Sequence, residues 1–80
     1  MMRRSRIDIV VDILKTVNNE RTKTQVVYQA NLNFKRADRY LQMLQNMGLV
    51  EKERGRYRIT ENGREYLNRF NELNAVFQGV

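Results

Sequence analysis

The chain has 80 residues, 41% of them hydrophobic, and carries 15 Lys and Arg against 9 Asp and Glu, for a net charge of +6. That describes one small domain with one core and a partner of negative charge. It contains neither His nor Cys, so disulfides, the usual zinc, haem and iron–sulfur ligands, and Ser–His or Cys–His nucleophile pairs are all excluded, and no cofactor, metal or enzymatic activity is expected.

Met1, Met2, Arg3 and Arg4 form a short basic arm, expected to be mobile. Ser5, with Asp8 three residues on, is a variant capping box that starts a first helix. In it Ile7, Val10, Leu14 and Val17 recur at helical spacing, and Ile9, Val11 and Ile13 widen the apolar face. Asn18 and Asn19 suit its end. Thr22 and Gln25 make a second capping box, opening a short helix through Val26, Val27 and Ala30. Asn31, Leu32 and Asn33 break it, and Asn33 caps a third helix with Phe34, Ala37, Tyr40, Leu41, Leu44 and Met47 as its apolar stripe. Two helices across about three residues, the second one basic, are the pattern of a helix-turn-helix.

Gly48 falls where a left-handed helix stop is wanted. Beyond it the period changes to that of a strand. A two-residue turn at Arg54-Gly55 sets Val50 opposite Ile59, Glu51 opposite Arg58, Lys52 opposite Tyr57 and Glu53 opposite Arg56. That register puts Val50 and Ile59 on the core face and both Glu–Arg pairs on the solvent face. Thr60 caps a last helix, where Gly63 in the first turn suits close packing. Tyr66, Phe70, Leu73, Phe77 and Val80 then follow a heptad seam, flanked by Val76. The expected fold is mainly α with a small β-hairpin: a winged helix-turn-helix. Residues 1–4 are the arm, 5–65 the domain and 66–80 a dimerisation helix.

The stretch Tyr28-Gln29-Ala30-Asn31-Leu32-Asn33, then Leu41 and Leu44, Gly48-Leu49-Val50, and Tyr57, Ile59, Thr60, Glu61 and Gly63 resembles the small archaeal winged-helix proteins. These include the 10a chromatin proteins and related short transcription regulators. The resemblance covers roughly residues 5–75. It implies sequence-tolerant or promoter DNA binding and a homodimer through the C-terminal helix, paired antiparallel. This chain departs from it in having a shorter C-terminal helix.

On a helical wheel, the side of the third helix opposite Ala37, Leu41 and Leu44 carries Lys35, Arg39, Gln42 and Asn46, with Arg36 at its flank and Asn33 at its start. In a helix-turn-helix this face enters the major groove, where Arg forks onto guanine and Gln onto adenine. An ordinary solvated face has the same composition, and the helix-turn-helix context tips the balance to DNA. In the wing, Lys52, Arg54, Arg56 and Arg58 are candidates for phosphate or minor-groove contact, with Arg54 and Arg56 joining the expected DNA-binding residues. Arg54 at the tip has no cross-strand partner, whereas Arg56 and Arg58 face Glu53 and Glu51 and can instead be spent on ion pairs. Arg3 and Arg4, with Arg6, are candidates for phosphate or minor-groove contact. The dimer seam is Tyr66, Phe70, Leu73, Val76, Phe77 and Val80.

The expected partners are therefore double-stranded DNA and a second copy of the chain. No run approaches the ~18 apolar residues of a membrane span, the N-terminus lacks the pattern of a signal peptide, and a cytoplasmic, nucleoid-associated protein is expected. No small-molecule pocket is legible. The competing reading is a winged helix used as a protein-interaction module for an acidic partner, with structured RNA a weaker third.

Overall fold

The computed structural model describes residues 4–78. The elements run α1 (Arg6–Thr16), β1 (Arg21–Thr22), α2 (Lys23–Gln29), α3 (Phe34–Asn46), β2 (Val50–Glu53), β3 (Arg56–Ile59) and α4 (Glu61–Gln78). This is the winged helix expected from the sequence, with one strand more.

Both capping boxes form. The Ser5 hydroxyl accepts from the Asp8 N–H at 3.1 Å and the Asp8 carboxylate accepts from the Ser5 N–H at 3.0 Å. The Ser5 N–H, and after it the hydroxyl, holds the Asp8 carboxyl below its ordinary range. Thr22 and Gln25 repeat the exchange at 3.2 and 2.9 Å. Two of the orphan donors at each helix start are thereby satisfied without tertiary help.

The α2–α3 turn has an equally local cause. Asn31 adopts φ 55°. That lets the Leu32 N–H reach back to the Val27 carbonyl at 2.9 Å and drops Leu32 into the core beside Val27, the closure of a Schellman motif. Asn33 follows at once as the N-cap of α3, its Oδ1 accepting from the Arg36 N–H at 2.7 Å. Gly48, at φ 73°, ends α3 in the same way, with the Leu49 N–H donating to the Leu44 carbonyl at 2.9 Å.

The hairpin register is the one deduced from charge and apolar matching: Val50 with Ile59, Glu51 with Arg58, Lys52 with Tyr57 and Glu53 with Arg56. Arg54 and Gly55, at φ 53° and 75°, make the left-handed pair that matches strand twist in a two-residue turn. The expected two-stranded wing is in fact a three-stranded sheet ordered β1-β3-β2, in which Arg21 pairs with Tyr57 and Thr22 with Arg56. Two residues are too few to show a strand period, so β1 is defined by its partner alone. Flanked on both sides, β3 buries Tyr57 and Ile59.

The core joins Ile9, Val10, Ile13, Leu14 and Val17 of the first helical segment to Val26, Ala37, Leu41, Leu44, Val50, Tyr57 and Ile59. Ile7, Phe34 and Met47 do not belong to it, contrary to the periodicity: they are 52%, 52% and 55% exposed. Each stands at the end of a helix, where the apolar arc continues past the elements that cover it. Tyr40 and Leu67 pack against the core from its edge.

Thr60 links wing to α4. Its hydroxyl donates to the Gly48 carbonyl at 2.6 Å and accepts from the Gly63 N–H at 3.0 Å, while its own N–H donates to the Leu49 carbonyl at 3.0 Å. Gly63 sits directly against that strand start. A Cβ there would overlap the Leu49 carbonyl oxygen and lie 2.7 Å from Ile59 Cγ1, so the close packing suggested by a glycine in a helix is real.

Candidate nucleic-acid interface

α3 places its side chains by the stripe it buries. With Ala37, Leu41 and Leu44 turned into the core, the 100° step of the helix turns Lys35, Arg39, Gln42 and Asn46 outward. All four are exposed, as is Arg36 at the flank. The Gln42 amide donates to the Asn46 side chain at 3.3 Å, tying two amides into one row along this face. Asn33 is spent differently: its oxygen caps the helix, and its amide nitrogen is what remains to offer.

The charges on α3 are mostly uncompensated. Among the described residues Lys35, Arg36 and Arg39 make no ion pair. Asp38, the one acid on the helix, pairs with Lys23 of α2, and that hydrogen bond raises the Lys23 pKa. The opposing charge is thus absorbed on the α2 side of α3.

In the wing the sequence reading holds for one cross-strand pair and fails for the other. Arg58 pairs with Glu51 at 2.7 Å and reaches Glu20 at 3.7 Å. Its pKa is raised chiefly by the Glu51 hydrogen bond. Arg56, opposite Glu53 in the ladder, makes no ion pair among the described residues and is exposed. Arg54 stands at the tip in a left-handed conformation that Asn or Gly adopts with less strain. Lys52 lies 5.5 Å from the centroid of the buried Tyr57 ring.

The basic arm is anchored where it can be described. Arg4 bonds the Asp12 carboxylate at 3.0 Å, the Ala30 carbonyl at 2.7 Å and the Asn31 carbonyl at 2.9 Å. Instead of moving freely, its guanidinium caps the C-terminus of α2 and staples the helix-turn-helix turn to α1. Arg3 lies outside the described residues.

Arg36 and Arg39 have a neighbour that composition did not reveal. Together with Arg4, Arg6, Ile9, Tyr40 and Met43, they line a cleft of about 320 Å³ between α1 and α3. Arg6 shares the charge signal of the arm, whereas Met43 carries none.

Along α4, Phe70 is half-buried. Tyr66, Leu73 and Val76 are 37%, 58% and 64% exposed. The side chain of Phe77 and the whole of Val80 lie outside the described residues. Among the described residues no helix is long and apolar enough to cross a membrane.

Comparison with known proteins gives a consistent result. Residues 3–78 match the family described as winged helix-turn-helix. An uncharacterised protein of Methanocaldococcus jannaschii is 28% identical over 72 residues, covering 89% of this chain and 74% of that protein. A second protein of that organism is 34% identical over 73 residues, but this chain spans only 35% of its length. Among solved structures, Sso10a-2, a DNA-binding protein from Sulfolobus solfataricus, superposes with a TM-score of 0.79 at 29% identity, covering 95% of this chain and 84% of that one.

Proposed function

The chain belongs to the winged helix-turn-helix family, and we propose that it binds double-stranded DNA as a homodimer, in transcription regulation or as a chromatin-associated protein of the nucleoid. The observation that carries this reading is the outward face of α3, where exposed cations without carboxylate partners adjoin a row of two amides. The DNA-binding character of Sso10a-2, similar over nearly the whole chain, supports it. In this reading α3 lies in the major groove, with Lys35, Arg36 and Arg39 nearest its N-terminal end and Gln42 and Asn46 beyond. Arg54 and Arg56 of the wing take phosphates. Arg58 and Arg4 hold the fold instead, because both guanidiniums already have acidic partners.

Arg39→Ala and Arg54→Ala should differ in kind. Arg39 is central on the groove face, so its loss should cost about 1–3 kcal/mol and relax sequence preference if it forks onto a base. Arg54→Ala should weaken all duplexes alike. Both side chains are exposed, so thermal stability should hardly change. Anisotropy titrations against several duplexes decide. Unchanged affinity in both variants would remove α3 and the wing as the binding surface.

The dimer is proposed from α4. Leu73 and Val76 lie on its C-terminal half, past the part that packs on the domain, and both are largely exposed. Pairing two copies about a two-fold axis buries both stripes, at about 1.5–3 kcal/mol per large side chain. Sedimentation equilibrium should show a dimer for the native chain at tens of micromolar and a monomer for Leu73→Glu/Phe77→Glu. A native monomer, or a dimer untouched by the double substitution, rejects this interface.

A further inference from the structure

The cleft between α1 and α3 has a composition that neither the core nor a groove-reading face requires. Arg6, Arg36 and Arg39 surround it without an ion pair among the described residues. Arg4, which also lines it, is already paired with Asp12. Three unpaired guanidiniums around one opening repel one another, and a ligand with two or more negative charges relieves that repulsion. Planar guanidiniums match phosphate oxygens in paired hydrogen bonds. The rest of the lining is apolar: Ile9 is 1% exposed and Tyr40 is half-buried against the core, while Met43 is 39% exposed. An aromatic ring beside a thioether suits a flat, weakly polar group. A phosphodiester of passing DNA needs the cations but has no use for that lining. The volume of about 320 Å³ is that of a small-ligand site.

We propose that this cleft binds a free nucleoside phosphate, its phosphates held by Arg6, Arg36 and Arg39 and its base laid against Tyr40 and Met43. Because Arg36 and Arg39 also belong to the α3 surface proposed to meet DNA, the nucleotide and duplex DNA compete for two guanidiniums, and ligand binding lowers DNA affinity. The competition rests on the DNA-binding reading, whereas occupancy of the cleft does not.

The test is a titration of the full chain with AMP, ATP and inorganic phosphate in the absence of DNA, followed by the NMR signals of the Met43 methyl group and the Tyr40 ring. The expected result is one saturable site per chain, tighter for ATP than for AMP and weakest for phosphate, with shifts centred on Met43 and Tyr40. Arg6→Gln and Met43→Glu, both at exposed positions, should weaken ATP binding by roughly tenfold or more, while Arg69→Ala, on the exposed side of α4, should leave it unchanged. Absence of saturation at millimolar nucleotide overturns the proposal. So does phosphate binding as tightly as AMP, or shifts spread evenly over the wing. If no nucleotide binds yet Arg6→Gln weakens duplex affinity, the cleft seats the DNA backbone: the proposal falls and the DNA-binding reading stands. If ATP binds the cleft and no duplex is bound, that reading falls and the site stands.

Discussion

Raising salt from about 50 to about 200 mM should cut duplex affinity about 500-fold per subunit, if the cations left unpaired by the fold are the ones that meet phosphate. On the face proposed to meet DNA, those cations are Lys35, Arg36 and Arg39 on α3, and Arg54 and Arg56 in the wing. With about five contacts and a slope near −0.9 per contact, log affinity should fall against log salt at a slope of about −4.5. Lys23, Arg4 and Arg58 are left out of the count because Asp38, Asp12 and Glu51 already hold them. A carboxylate partner lowers the counterion release that a cation can add. A slope near zero would refute the electrostatic account, and no duplex binding at the low-salt end would favour the reading as a protein-interaction module for an acidic partner. Single replacement of any one of the five should make the slope shallower by about one.

Gly63→Ala should destabilise the domain by about 1–3 kcal/mol, even though alanine is the better helix former by about 1 kcal/mol. The added carbon overlaps the Leu49 carbonyl oxygen, which is backbone and also accepts the Thr60 N–H at 3.0 Å. Neither a rotamer change nor a loop shift relieves the overlap, because Leu49 is fixed by its bond to Leu44 and Ile59 by the ladder to Val50. Relief requires α4 to tilt away from the wing and loosen the Thr60 cap. In a domain of this size each kcal/mol corresponds to about 4–8 °C in melting temperature. Asn62→Ala, one residue away and exposed, is the control and should be neutral or slightly stabilising. A Gly63→Ala chain that melts no lower than the native one would show that α4 is not held where the structure places it.

The two expected results draw on different kinds of information. Helix starts and stops were legible in the sequence because their partners lie within three to five residues. Ser5 with Asp8, Thr22 with Gln25, Asn33 with Arg36 and Gly48 after α3 all satisfy backbone groups of their own turn. The wing register was legible because a two-residue turn leaves one pairing that puts Val50 and Ile59 on one face and matches Glu51 to Arg58 on the other. From these followed the helix-turn-helix, the outward face of α3 and thus most of the candidate interface.

What only the tertiary structure decided involves partners far along the chain. β1 exists because Arg21 and Thr22 meet Tyr57 and Arg56, and two residues carry no pattern of their own. Arg4 is a clamp and not a free arm because Asp12, Ala30 and Asn31 converge on it from α1 and from the turn after α2. Arg58 is drawn to Glu20 as well as Glu51, while Arg56, matched just as well in the ladder, is left without a salt bridge. Periodicity marks which side of a helix is apolar but not how far the covering elements extend, so Ile7, Phe34 and Met47 read as core and are exposed. The cleft between α1 and α3 is the same effect at a larger scale: Arg6 and Met43 become neighbours through the packing of two helices, and nothing local to either residue encodes the space between them.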